Sequence, residues 1–335
     1  MRITRELLLK FARETIKQRL REEPDLHAAY LMGSVLKDAP LLGGTTDIDL
    51  VLVHKYQAPV ARECLPLTPD ISLDIYHKIQ ADYQQQRQLR EDAHLGYPLT
   101  HNHIVLFDTH HWLEFIQSSV SADFHRADIV IARVNGFLDA ARESWLSLFQ
   151  APPPTHTLWL DQYLKILELA VNAVAGLTGP PLTLRRFVID FSERAENLGV
   201  PKIVPGFYGL LGFNEALEDQ FRAWVNAFES DLTFLAENGV PPIHLAPCRH
   251  SYYLAALRSF LQDKTPSHAS WLLLRTWLDI IMAAPQPLPG VAVWEACLET
   301  LNLTQESTTE KIEALDAFLD TVELLVETWA TTYGA

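Results

Sequence analysis

The sequence predicts an α+β protein: an N-terminal mixed sheet flanked by helices, followed by an all-helical C-terminal domain. Short apolar segments typical of strands recur through the first third of the chain, whereas helical periodicities dominate from about residue 122 onward. The length of 335 residues also exceeds the roughly 100–200 residues of a single domain. We therefore expect two domains, residues 1–120 and residues 121–335.

The first domain is predicted to begin with a helix and to continue mainly as strands. Apolar residues at helical spacing indicate a helix over residues 4–22, with Thr4 as its N-cap. Strands are predicted over residues 26–32, 47–53, 71–76 and 103–107. Residues 78–92 have the pattern of a solvated helix.

The second domain is predicted to contain only helices. Pro- and Gly-containing segments, such as residues 151–154, divide this half of the chain. The predicted helices are 122–150, 157–176, 183–198, 214–237, 250–262, 267–284 and 305–330. The glycines at 206, 209 and 212 do not follow a strand, so we interpret that segment as a loop.

Charge is unevenly distributed along the chain. The whole sequence has 27 basic and 42 acidic residues, for a net charge of −15. Residues 1–120 contain 13 basic and 16 acidic residues, and residues 121–335 contain 14 and 26. Because extended nucleic-acid binding normally needs a basic surface, the charge favours a small neutral or cationic partner over DNA or RNA.

The cysteines and the hydropathy pattern predict a cytoplasmic protein. Cys64, Cys248 and Cys297 are far apart in the sequence and form no C-x-x-C motif, so we expect three reduced thiols. No segment approaches the roughly 18 uninterrupted apolar residues that a membrane span requires, so we expect no membrane partner. The sequence does not predict an oligomeric state.

Three aspartates in the predicted strands form the candidate catalytic centre. Asp47 and Asp49 are two residues apart on one strand, so their side chains share a face, and Asp74 lies on the polar face of another strand. Clustered carboxylates repel one another and suit a hard divalent cation, Mg²⁺ or alternatively Mn²⁺. Two such ions support an in-line displacement at phosphorus. Asp47 and Asp49 would bridge the ions, and Asp74 would lie on the nucleophile side as a possible base.

Gly33 and Ser34 are the candidate phosphate-binding residues. They follow the first predicted strand, where the chain turns abruptly. Glycine lets the backbone approach a phosphate closely, and the serine hydroxyl and neighbouring amides can donate hydrogen bonds to phosphate oxygens.

This order of residues resembles the DNA polymerase β-like nucleotidyltransferase superfamily. The matching pattern, within residues 1–115, is Leu31-Met32-Gly33-Ser34, a twelve-residue gap, Asp47-Ile48-Asp49-Leu50, and then Asp74. The resemblance implies a nucleotidyltransferase-type sheet in which the Gly-Ser pair binds ATP or another nucleoside triphosphate and the aspartates hold Mg²⁺. It implies transfer of a nucleoside monophosphate, most simply AMP, to a hydroxyl with release of pyrophosphate.

The helical half resembles the partner domain of the antibiotic nucleotidyltransferases. That resemblance implies acceptor contacts across a cleft between the two domains. The acidity of residues 121–335 is consistent with a small cationic acceptor such as an aminoglycoside.

One stretch departs from the superfamily pattern and leaves the cation for the triphosphate open. Many members have an arginine and a further glycine after the Gly-Ser pair, whereas this chain has Val35-Leu36-Lys37-Asp38. Lys37 is one substitute for that arginine. Lys165 and the pair Arg185-Arg186 are the alternatives, although Lys165 also has the spacing of an intrahelical ion pair with Asp161.

Other functions remain open at this point. A toxin-like nucleotidyltransferase would modify tRNA or protein, and a noncatalytic relative would bind nucleotide as a regulatory module. His101-Asn102-His103 invites comparison with an HNH nuclease and His110-His111 with a metal site, but neither has a supporting ligand pattern.

Overall fold

A computed structural model describes residues 3–100, 103–214 and 217–335, so His101 and Asn102 lie outside the described residues. It has the predicted α+β class: a five-stranded mixed sheet with flanking helices, and a helical region. The chain forms two compact units. The first unit comprises Met1–His125 and Ala246–Ala256, and the second comprises Arg126–Leu245 and Leu257–Ala335.

The first unit is built on the mixed sheet. Its strands are β1 (Leu26–Met32), β2 (Thr46–His54), β3 (Arg62–Thr68), β4 (Ile71–Ile79) and β5 (Ile104–Asp108). The strand order is β3-β4-β2-β1-β5; β2 and β4 are parallel, and the other neighbouring strands are antiparallel. Strand β3 was not predicted, because Pro66 interrupts it. Proline is tolerated there because β3 is an edge strand.

Helices cover both faces of this sheet. They are α1 (Arg5–Glu22), α2 (Gln86–Glu91), α3 (Gly96–Thr100) and α4 (Trp112–Ser121). Leu8 and Ile16 of α1 pack on the face that carries Leu50, and Leu113 of α4 packs on the face that carries Val51. The predicted helix over residues 78–92 is formed only in part: β4 continues to Ile79, Gln80–Tyr83 is a 3₁₀ turn, and α2 covers Gln86–Glu91.

The second unit is helical throughout its regular structure. Its helices are α5 (Ala127–Gln150), α6 (His156–Gly176), α7 (Phe187–Asn197), α8 (Ile203–Leu211), α9 (Glu218–Asn238), the end of α10 (His250–Gln262), α11 (Ser270–Ala283), α12 (Val291–Thr300) and α13 (Thr308–Tyr333). The loop predicted around the three glycines is instead α8, which ends at Gly212 in a left-handed conformation. None of the described helices combines the length and apolarity needed to cross a membrane.

The first unit extends past residue 120 to His125, and it also includes one later segment of the chain. Ala246–Ala256 belongs to the first unit, although it lies far inside the predicted second domain. Sγ of Cys248 in this segment is 2.6 Å from Sγ of Cys64 on β3. The hydroxyl of Ser251 donates a hydrogen bond to the carbonyl oxygen of Pro69. These contacts attach the segment to the edge of the sheet.

Candidate functional site

The structure brings the three predicted aspartates together on one face of the sheet. Asp49 of β2 and Asp74 of β4 are direct neighbours in the parallel register, and Asp47 is two residues before Asp49. Alternation directs all three side chains away from the face that α1 covers. One carboxylate oxygen from each lies within 4.8 Å of the others. We call these three residues the aspartate cluster.

Asp49 is the member of the cluster to which neither arginine described below is bound. Its carboxylate is half-buried, and it accepts no hydrogen bond from another described residue. Burial raises the pKa of Asp49 well above its ordinary value, and the neighbouring charges of Asp47 and Asp74 raise it further. A bound divalent cation would offset both causes, so this carboxylate fits a metal ligand.

The Gly33-Ser34 turn lies directly against Asp49. Gly33 begins a short 3₁₀ turn, Gly33–Leu36, with a φ of +78°. A Cβ at this position would lie 1.9 Å from Oδ2 of Asp49, so only glycine fits. The hydroxyl of Ser34 hydrogen-bonds to that of Thr46 at 3.2 Å, which ties the turn to the start of β2.

Two arginines that sequence reasoning missed bind the aspartate cluster. Arg62 on β3 donates from Nε to Oδ1 of Asp74 at 2.7 Å and from Nη2 to Oδ2 at 2.6 Å. Arg249 donates from Nη2 to Oδ2 of Asp47 at 2.9 Å and from Nη1 to Oδ2 of Asp74. Three carboxylates and two guanidinium groups leave the site with one net negative charge when all are ionised.

Arg249 is buried at the site and lies against two aromatic rings. Only 5% of the residue is exposed. Its guanidinium carbon lies 4.5 Å from the ring centroid of Tyr252 and 5.8 Å from that of Tyr253. Burial alone would lower the pKa of Arg249, but Tyr253 and Asp47 outweigh it, and the pKa is raised. Arg249 is therefore a fixed positive charge.

The sequence contained little signal for either arginine. Arg62 lies on β3, the strand that was not predicted because it contains Pro66. Arg249 lies 202 residues from Asp47 in a 3₁₀ turn, Pro247–Arg249, that no periodic pattern marks. The need for a counter-charge near three carboxylates was predictable, but the residue that supplies it was not.

The two lysines that were predicted to bind phosphate belong to different units. Lys37 is exposed at the end of the Gly33–Leu36 turn. Lys165 is on α6 in the second unit, where its Nζ lies 3.7 Å from Oε2 of Glu168.

The structure also locates the ion pair predicted for Lys165 and the alternative cations Arg185 and Arg186. The predicted pair of Lys165 with Asp161 is not formed, because Asp161 binds Arg275 at 2.7 Å. Arg185 and Arg186 belong to a 3₁₀ turn of the second unit, and Arg185 is buried.

No protein-family model matches the chain, and a search of curated proteins finds none that is similar to it.

Proposed function

We propose that the first unit binds a nucleoside triphosphate with Mg²⁺ and transfers its nucleoside monophosphate to a hydroxyl group. ATP is the proposed donor, Mn²⁺ is an alternative cation, and the acceptor is a small molecule. The observation that carries the proposal is the aspartate cluster on adjacent parallel strands, with the Gly33 turn against Asp49. This arrangement supports the chemistry implied by the superfamily resemblance.

The residues of the cluster suit a cation that binds phosphate. Asp47, Asp49 and Asp74 would hold Mg²⁺, which polarises phosphoryl oxygens and stabilises the leaving pyrophosphate. With all three carboxylates ionised and no cation bound, the site is negative and repels a triphosphate. One divalent ion changes the net charge from −1 to +1 by our count of three carboxylates and two guanidinium groups. We therefore expect triphosphate binding to require the divalent ion.

The proposed reaction breaks one bond at the α-phosphorus and forms another. The acceptor hydroxyl oxygen attacks the α-phosphorus, the bond to the bridging oxygen breaks, and pyrophosphate leaves. A base must take the hydroxyl proton. Both oxygens of Asp74 accept hydrogen bonds from Arg62, so Asp74 can act as that base only after Arg62 and Arg249 release it.

The same arginines favour a second candidate function. Because Arg62 and Arg249 bind oxygens of Asp74 and Asp47 that two catalytic ions would need, the site also suits a noncatalytic module in which one ion at Asp49 binds nucleotide and no pyrophosphate is released. The two functions differ in turnover.

The charge of the protein is the observation that bears on the acceptor. A polycation such as an aminoglycoside suits the net charge of −15. Modification of tRNA or of a protein hydroxyl is the competing possibility, so the experiment includes acceptors of each class.

The proposed function is tested by measuring pyrophosphate release. Each of the four ribonucleoside triphosphates is supplied with Mg²⁺ or Mn²⁺, together with an aminoglycoside mixture, bulk tRNA, a protein acceptor or no acceptor. Wild type is compared with Asp47→Asn/Asp49→Asn and with Asp70→Asn, an exposed aspartate of the same unit. Triphosphate binding is measured in parallel.

We expect release that the double variant loses by at least about a thousandfold and that Asp70→Asn retains, because electrostatic stabilisation of this kind supplies several kcal/mol. The acceptor that increases release identifies the substrate class. Binding without release would assign the noncatalytic function. Neither binding nor release with any triphosphate would overturn both.

A further inference from the structure

A second group of potential metal ligands lies toward the carboxyl ends of β2 and β4. His54 is the last residue of β2, His77 lies near the end of β4, and Glu23 directly follows α1. Nε2 of His54 is 2.8 Å from Nδ1 of His77 and 3.8 Å from Oε2 of Glu23. Five residues of extended strand, about 16 Å, separate His54 from Asp49, so this group is distinct from the aspartate cluster.

Polar atoms of this group are buried without hydrogen bonds. His54 is 1% exposed and His77 is 4% exposed. Oε2 of Glu23 and Nδ1 of His54 are both buried and have no hydrogen-bond partner among the described residues. Burying Oε2 of Glu23 unsatisfied costs free energy, and a cation bound to this oxygen is the simplest explanation, while Nδ1 of His54 faces Oδ1 of Asp25 on the other side of the ring.

The opposite side of each side chain is held by another residue. Arg19 donates to Oε1 of Glu23 and to Oε2 of Glu63, each at 2.7 Å. Oε1 of Glu63 lies 2.6 Å from Nε2 of His77. Histidines that bind metals commonly donate their second ring N–H to a carboxylate in this way. The atoms left facing one another are Nε2 of His54, Nδ1 of His77 and Oε2 of Glu23.

The protons of the two imidazoles also favour a cation. A neutral His77 that donates from Nε2 to Glu63 has a lone pair on Nδ1. If His54 donates its only proton to that lone pair, its own Nδ1 turns a second lone pair toward Oδ1 of Asp25, 3.6 Å away. If the proton is on Nδ1 instead, the two facing nitrogens present lone pairs to each other. A cation removes this conflict: either a metal ion between the facing nitrogens or a second proton on His54, and the metal-binding experiment below distinguishes the two.

The charges and distances suit a divalent ion. Glu23, Glu63 and Asp25 carry three negative charges and Arg19 carries one positive charge, so two negative charges remain when both histidines are neutral. Tetrahedral zinc, with ligands at about 2.0–2.1 Å, places its ligand atoms about 3.3 Å apart. The observed separations of 2.8 and 3.8 Å lie on either side of that value.

We propose that His54, His77 and Glu23 bind one first-row divalent transition-metal ion of the zinc type. Nitrogen and carboxylate ligands of this kind favour zinc, cobalt or nickel over magnesium. The ion joins the end of α1 to β2 and β4. This inference does not depend on the proposed nucleotidyl transfer.

The site is tested with Co²⁺ and Zn²⁺ on the full chain after removal of metals by a chelator. All variants are made in the Asp47→Asn/Asp49→Asn background, so that the aspartate cluster does not contribute. Visible absorption of bound Co²⁺ reports nitrogen ligation, and competition by Zn²⁺ gives the relative affinity. Circular dichroism without metal establishes that each variant is folded.

The key variants are Glu23→Gln and Glu63→Gln, with His54→Asn as the stronger test. Glu22→Gln is the matched control, because Glu22 is the adjacent glutamate and its carboxylate accepts from Gln18 instead. We expect Glu23→Gln and Glu63→Gln each to raise the Kd for Co²⁺ by about 10–100-fold. His54→Asn removes binding, and Glu22→Gln leaves it unchanged.

Two results would overturn the proposal. One is a chain that shows no Co²⁺ absorption and no Zn²⁺ binding with His54, His77 and Glu23 intact. The other is an unchanged Kd in Glu23→Gln and in Glu63→Gln. Both of these glutamates are partly exposed, with 15% and 22% of the side chain accessible, so these variants stay informative where His54→Asn does not fold.

Discussion

At the scale of single residues, the candidate site depends on how each carboxylate is neutralised. Asp74 binds two arginines, Asp47 binds one, and Asp49 binds none among the described residues. Asp49 is also the carboxyl group whose pKa is raised, through burial and then through its two neighbours. An added cation therefore gains most at Asp49, which is where the Gly33 turn approaches.

The Gly33 turn provides a direct test of this geometry. Gly33→Ala is expected to lower divalent-cation affinity by at least about tenfold, because the new Cβ would displace Asp49 from the cluster. Gly44→Ala is the matched control: Gly44 has a similar φ of +81°, but a Cβ there meets no atom within 4 Å. We expect both variants to lose about 1–2 kcal/mol from the positive φ.

The measurement is Mn²⁺ binding, with urea unfolding to report the strain. Loss of Mn²⁺ binding in Gly33→Ala alone would support the contact with Asp49. Equal Mn²⁺ affinity in the two alanine variants would contradict it.

Arg249 gives a second residue-scale prediction. Arg249→Met leaves Asp47 and part of Asp74 buried without their counter-charge, so we expect a loss of about 3–5 kcal/mol in the free energy of unfolding without divalent ions. Added Mn²⁺ should recover much of this loss, because the cation replaces the missing charge. Arg258→Met is the control, since Arg258 pairs with Glu229 at the surface and should cost at most about 1 kcal/mol.

Denaturant unfolding with and without Mn²⁺ measures both effects. A loss for Arg249→Met that Mn²⁺ does not reduce would show that the cation does not take over the role of the guanidinium. The proposed coupling between metal and arginine at the aspartate cluster would then be wrong.

At the scale of helices and strands, the sequence was informative wherever one physical pattern dominated. Alternating residues placed Asp74 opposite Leu73 and Ile75, and the register of β2 and β4 confirms that placement. The failures occurred where a local signal opposed the tertiary structure. The edge strand β3 was not predicted because it contains Pro66. The segment of α8 was predicted as a loop because it contains glycines, although neighbouring helices stabilise it as a helix.

Helix α8 also carries a pH-dependent contact at its end. Nζ of Lys311 on α13 donates to the carbonyl oxygens of Gly209 and Leu210 at 3.2 and 3.0 Å. These carbonyls lie in the last turn of α8, where helices leave acceptors unpaired. Burial lowers the pKa of Lys311 from its ordinary 10.5, and Glu310 only partly opposes that effect.

We expect Lys311→Met to destabilise the protein by about 0.5–1.5 kcal/mol at neutral pH, because each carbonyl loses one hydrogen bond, while Leu210 still accepts from the Tyr163 hydroxyl and Gly209 from the Gly212 N–H. Between the lowered folded pKa and 10.5, the unfolded chain binds more protons than the folded one, so the stability of wild type rises with pH relative to the variant. Unfolding measured from pH 7 to 10.5 tests both expectations. Lys165→Met, an exposed lysine, is the control. A pH-independent difference between wild type and Lys311→Met would contradict the lowered pKa.

At the scale of the whole molecule, the first unit is discontinuous along the chain. The strands that carry the aspartates were predictable because each is a local pattern. Arg249 was not, because nothing local relates it to residues about 200 positions earlier. The ligands of the proposed transition-metal site were missed for a similar reason: Glu23, His54 and His77 come from three separate elements. Residues that come together only through tertiary structure have no fixed sequence spacing from which their contact could be predicted.

The discontinuity has a consequence for synthesis of the protein. About 120 residues separate His125 from Ala246, and a ribosome adds roughly 5–20 residues per second, so about 6–24 s pass between the two parts of the first unit. During that interval the nascent sheet has its aspartates but lacks Arg249. Dissolved cations are then the available counter-charge for Asp47, and Arg249 joins the site only after they have had access to it.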